Sequence, residues 1–155
     1  MSAPSQVVMA ERIIAAPHAV IFELIADPAK QPLWDGNNNL AEAAPGQRVH
    51  GIGEVFVMRV TSDKLRENHV VEFEEGHRIA WCPASPGEPP AGHLWRWELF
   101  PLADGTTRVR HTYDWTRLSD PARFERAQQN TSAALDASIQ RLAELAEHTS
   151  GEPPK

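Results

Sequence analysis

The stretch "HLWRWELFPLADGTTRVRHTYDWT", residues 93–116, is the strongest structural signal in the chain. Two runs of alternating residue character flank "ADGTT", where Asp104-Gly105 suits a tight turn, so the stretch reads as a β-hairpin. A strand sends successive side chains to opposite faces. His93, Trp95, Trp97 and Leu99 therefore share one face with Val109, His111, Tyr113 and Trp115 of the second strand. Arg96, Glu98, Arg108, Arg110, Thr112 and Asp114 take the other face. An apolar, aromatic side opposite a charged side is the pattern of an antiparallel sheet with one face in water.

The same alternation extends upstream. "HRIAWC" adds Ile79 and Trp81 to the apolar face, and "RENHVVEFEEG" places His69, Val71 and Phe73 there by parity. "GEVFVMRVT" reads as another strand with Phe56 and Met58 inward, which turns Arg59 outward. A weak strand over "LAEAA" precedes a "PGQ" turn, and the Pro/Gly-rich "PASPGEPPAG" (83–92) reads as a loop that is a candidate lid.

Helical patterns bracket these strands. "VVMAERIIAAP" gives a first strand over about residues 6–14; Pro17 then opens a helix with Val20, Ile21, Leu24 and Ile25 in one stripe. Asp27-Pro28 caps a short second helix. Asp120-Pro121 caps a long final helix, with Phe124, Ala127, Thr131, Leu135, Ile139, Leu142 and Leu145 along one side. Residues 1–149 read as a single domain and residues 150–155 as a polar tail.

Composition narrows the function classes. A chain of 155 residues with 41% hydrophobic content suits one domain with a real core. A net charge of −6 without a Lys/Arg cluster argues against nucleic-acid partners. No apolar run reaches membrane-spanning length and no signal peptide is evident, so the expectation is a soluble cytoplasmic chain without membrane insertion, as monomer or homodimer. Cys82 stands alone and reads as a structural thiol. The seven histidines show no short ligand pair, so neither a metal nor another cofactor is expected. Asn130-Thr131-Ser132 matches a glycosylation pattern, but the helical reading of that segment sets it aside.

Four of the five tryptophans and the only tyrosine fall on the apolar face. Indole and phenol rings bring polar tips that need partners once buried. Together with His69, His93 and His111 they read as the wall of a chamber, against the simpler reading of a filled core.

The element order is strand, two helices, six strands and a long amphipathic helix. With "ERIIAAPHAVIFELIADPAKQPLWDG" at 11–36 and the hairpin at 93–116, it resembles the START/Bet v 1-like (SRPBCC) superfamily. Within that superfamily the chain is similar to the bacterial polyketide cyclase/dehydrase and lipid-transport group. The resemblance implies an α+β helix-grip fold: a curved antiparallel sheet of about seven strands around the C-terminal helix, with a cavity between them. It also implies a small hydrophobic ligand (lipid, polyketide or aromatic).

The residues expected to meet that ligand are Phe56, Met58, His69, Phe73, Trp81 and His93, continuing with Trp95, Trp97, His111, Tyr113 and Trp115. Leu135 and Ile139 face them from the helix, and Trp34 is expected at the entrance. Two alternatives stand beside ligand binding. A cyclase/dehydrase-type enzyme would draw acid–base chemistry from His111, Tyr113 or His93. A protein-interaction module would have its core filled by the aromatic rings.

Overall fold

The computed structural model describes residues 6–36 and 40–151. Seven antiparallel strands form one sheet in the order β1-β7-β6-β5-β4-β3-β2. They are β1 (Val7–Ile14), β2 (Leu40–Glu42), β3 (Val55–Val60), β4 (Leu65–Glu74), β5 (Arg78–Ala84), β6 (Leu94–Pro101) and β7 (Thr107–Asp114). Helices α1 (His18–Ala26) and α2 (Gln31–Trp34) follow β1; α3 (Phe124–Gln128) and α4 (Ser132–Gly151) follow β7. This is the helix-grip α+β fold. Most of the expected polar tail lies outside the described residues, and α4 itself runs on to Gly151.

The hairpin register pairs Trp97 with His111 and Trp95 with Tyr113, and β5 sets Trp81 opposite Trp95. The outer face is laced by ion pairs, including Arg96 with Glu72 and Arg110 with Glu11 and Glu98. Such exposed pairs contribute only tenths of a kcal/mol each, so burial of the inner face under α1 and α4 stabilises the sheet.

Three local features depart from the sequence reading. A β-bulge at Val71 shifts the register of β4 against β5. One strand then opposes two residues to one, so parity reverses across the bulge. Asn68 and Val70 are buried on the inner face, while Val71 is 41% exposed and His69 pairs with Cys82 in the outward register. Beyond the bulge Phe73 returns to the inner face.

Second, the C-terminal helix is interrupted. Asp120 caps a short 3-10 turn (Pro121–Arg123), α3 ends at Gln128, and α4 restarts at Ser132. Thr131 accepts the Ala134 N–H on its hydroxyl at 3.2 Å, which makes it the N-cap of α4. Asn130-Thr131-Ser132 therefore spans the junction of two helices rather than the middle of one. Third, β5 extends through Pro83 and Ala84, so the loop starts two residues late.

The α2–α4 contact fixes the helices over the sheet. The Gly36 N–H donates to Ser138 Oγ at 3.0 Å, and Arg141 donates to the Asp35 carbonyl at 3.3 Å. A Cβ on Gly36 would lie 2.7 Å from the Ala137 carbonyl carbon and 2.8 Å from Ser138 N, both backbone atoms that cannot swing aside. Gly36→Ala is thus expected to lower stability by about 2 kcal/mol, a fall of several degrees in Tm by differential scanning calorimetry. An unchanged Tm would mean that the helices do not approach this closely.

Candidate functional site

A cavity of about 580 Å³ lies between the inner face of the sheet and α2, α3 and α4. The strands supply Met58, Asn68, Trp81, Trp95, Trp97 and His111 to its wall, and Tyr113 beside them. Gln31 and Trp34 come from α2, and Ala134 and Ser138 from α4. At the rim stand Thr61 from the β3–β4 turn, Arg66, His93, Arg123, Arg126, Gln129 and Asn130. The interruption between α3 and α4 places the last two there instead of burying a continuous helix face.

Trp97 is fully buried and forms the centre of the wall. Its ring stacks on His111 with centroids 3.7 Å apart and planes inclined by 14°. Trp34 meets it edge-on at 5.1 Å. Trp34 is itself fixed by its indole N–H, which donates to the Leu24 carbonyl at 2.7 Å. Trp95 leans on Tyr113 at 4.3 Å and on His111 at 5.6 Å. Rings at these separations hold one another by offset and edge contacts, so the wall is preformed.

The polar tips within this wall are incompletely served. Among the described residues, neither ring nitrogen of His111 nor Nε1 of Trp97 has a hydrogen-bond partner. Burial alone pushes His111 down to about 3, because no carboxylate stabilises its charged form. His93 is held at about 4, first by burial and then by Arg123, Arg66 and Arg126. Tyr113 is pushed up to about 12 by burial, against the opposing pull of a side-chain hydrogen bond with Asn130 and of Arg126. At neutral pH the cavity therefore presents two uncharged imidazoles and an intact phenol.

Several residues expected at the cavity stand elsewhere. Phe56 is buried behind the wall, edge-on to Trp81 at 5.3 Å. Phe73 packs against Phe22 of α1 at 5.8 Å, in the part of the core that is filled. Trp115 packs against Phe124 and, with Leu135, belongs to a small cluster that seats α3. Ile139 is fully buried in the main core. His69 lies on the opposite face because of the bulge. Trp34, expected at the entrance, is only 3% exposed, because its indole hydrogen bond and its contact with Trp97 draw it into the wall. Of the expected loop 83–92, Pro83 lines the cavity near the end of β5, and residues 85 to 92 do not.

Arg66, Asn68, Gln31, Arg126, Arg123 and Ser138 are cavity residues that the sequence reading missed. A signal for Arg123 and Ser138 is present: Arg123, Ala127, Asn130, Ala134 and Ser138 recur at three or four residues.

The family model described as polyketide cyclase/dehydrase and lipid transport matches residues 5–147. An uncharacterised protein of Mycobacterium tuberculosis strain H37Rv is 27% identical over 115 residues, covering 66% of this chain and 44% of that one. The chain thus spans less than half the length of this relative. A crystal structure of a Mesorhizobium loti protein superposes with a TM-score of 0.68 at 17% identity, over 92% of this chain and 98% of that one. A Nitrosomonas europaea protein gives 0.68 at 16%, covering 98% and 100%. The Aha1 dimer of Colwellia psychrerythraea, solved in solution, gives 0.62 at 13%, covering 93% and 96%. At such identities these structures establish the fold.

The neutrality of His111 has a measurable consequence. Its folded pKa, about 3, lies below the ordinary value of 6.5. Between those values the unfolded chain binds a proton that the native state refuses, so stability falls as pH falls through this window. Between about pH 6.5 and about pH 4.5 urea unfolding should show His111→Phe losing roughly 2 kcal/mol less than the unsubstituted protein. Equal losses would show that His111 is protonated in the folded state.

Proposed function

We propose that this chain, which belongs to the polyketide cyclase/dehydrase and lipid-transport family, binds a small aromatic or otherwise apolar molecule between its sheet and its helices. The observation that carries this reading is the aromatic wall around an open volume of about 580 Å³. Pockets for small organic ligands typically span roughly 300–1,000 Å³. A core built only for stability would close such a volume, because empty space forfeits dispersion contacts and costs stability. Each 100 Å² of apolar ligand surface covered here contributes about 2.5 kcal/mol before the cost of immobilising the ligand.

The wall also suggests how such a ligand is oriented. A flat ring fits against the half-buried face of Trp95, while a carbonyl or hydroxyl on it can use the Tyr113 hydroxyl or the Asn68 amide at the wall. The Tyr113 hydroxyl is a donor that stays protonated at any physiological pH.

These same properties favour binding over acid–base turnover. A general acid or base works best with a pKa near the working pH. His111 near 3, His93 near 4 and Tyr113 near 12 are all displaced away from neutrality. The groups stay uncharged at neutral pH, which suits a wall that receives the apolar body of a ligand.

Filling the cavity tests this reading. Ala134 faces it from the first turn of α4, where a larger side chain can enter open space. Ala134→Trp is expected to weaken binding of N-phenylnaphthylamine, an uncharged fluorescent probe, by about tenfold or more. The thermal midpoint should hold or rise. Undiminished probe binding in this variant would place the probe outside the cavity and contradict the proposal.

A further inference from the structure

We infer that the cavity takes an amphipathic organic anion, its apolar body against the tryptophan wall and its carboxylate or phosphate group held at the rim by Arg66, Arg123 and Arg126. This rests on the reading that the cavity is a ligand site, and it names the class of ligand.

Three guanidinium groups gather at one rim of a protein whose net charge is −6. Arg66 projects from β4, while Arg123 closes the 3-10 turn before α3 and Arg126 stands three residues on, within α3. Among the described residues, Arg66 has no carboxylate within ion-pair distance. Arg123 has Asp120 at 3.7 Å, an exposed contact that leaves most of its donors available. Asp35 is the one acidic residue on the cavity wall among those described, and it is engaged at the end of α2, accepting the Leu40 N–H at 2.8 Å.

The like charges act on one another. Arg66 is held below the ordinary guanidinium value by burial and then by Arg123 and Arg126. The same three arginines lower His93 after burial has done so. Neither group has a carboxylate among the causes of its shift. An anion at this rim relieves the repulsion that Arg66 feels from its neighbours, and guanidinium forks bind carboxylate and phosphate oxygens in pairs. Its position supplies the second half of the specificity: the arginines line the same cavity as Trp95 and Trp97. A molecule must carry both an apolar body and an anionic end to use both.

Two dyes with a common ring system separate the halves: anilinonaphthalene sulfonate carries the anion and N-phenylnaphthylamine lacks it. Binding is read by energy transfer from the tryptophans, with circular dichroism to confirm folding. Combined Arg66→Gln and Arg126→Gln should weaken the sulfonate about tenfold or more while leaving the uncharged dye within about twofold. Arg66→Lys should retain most of the sulfonate affinity. Arg108→Gln, on the charged outer face, should change neither dye.

Displacement by laurate, lauryl phosphate and lauryl alcohol then identifies the headgroup. Both anions should outcompete the alcohol, and the stronger of the two names the preferred anion. If the double variant weakens both dyes equally or neither, or if the alcohol matches the anions, the anionic class is overturned and the cavity reading stands. If the unsubstituted protein fails to bind the uncharged dye, the cavity reading fails and this inference fails with it.

Discussion

The ring of Trp97 sits where three parts of the molecule meet. Its β6 neighbours fix it in the sheet, His111 of β7 stacks beneath it at 3.7 Å, and Trp34 of α2 abuts its edge at 5.1 Å. Trp34 in turn is tied to α1 through the Leu24 carbonyl. Sheet, first helix and second helix thus share one aromatic contact. Any rotation of Trp97 would disturb the His111 stack and the seat of Trp34 together, so this contact sets both the packing and the shape of the open space beside it.

That open space exists because the final helix does not lie continuously on the sheet. Leu135, Ile139 and Leu142 of α4 are fully buried, so the helix grips the sheet along that part of its length. Toward its start the chain turns away at residues 129–131, and α3 is seated by Trp115, Leu118 and Ala127 in a cluster that Leu135 joins. Between the two seats remains a volume walled by indoles on one side and small residues, Ala127, Ala134 and Ser138, on the other. Large rings facing small helix residues leave room for a guest, and the neutral imidazoles and phenol keep that room uncharged away from its rim.

Much of this was legible in the sequence, and the failures have physical causes. The parity of β5, β6 and β7 could be read directly, since an uninterrupted strand has a strict period of two; Trp81, Trp95, Trp97, His111 and Tyr113 fall where that period puts them. The same rule misplaced His69 and Val71, because a bulge adds one residue to one strand and the adjacent valines at 70 and 71 give no apolar contrast to reveal it. Arg66 was hidden behind the same error, since it shares its face with Asn68 and not with His69. The helix break carried a signal, a Thr131 N-cap, within an apolar pattern that continues across it. Trp34 lay beyond sequence reasoning altogether, because its position depends on a tertiary hydrogen bond.

On the reading proposed above, the volume beside Trp97 admits an aromatic guest. The most direct test of that reading follows the five indole N–H signals by ¹H–¹⁵N NMR while the protein is titrated with naphthalene. Trp34, Trp81, Trp95 and Trp97 line the cavity and Trp115 does not, so Trp115 is an internal reference. Saturable shifts of the Trp95 and Trp97 signals are expected, with that of Trp115 nearly unmoved. Titration that leaves Trp95 and Trp97 in place, or that moves Trp115 alone, would contradict that reading.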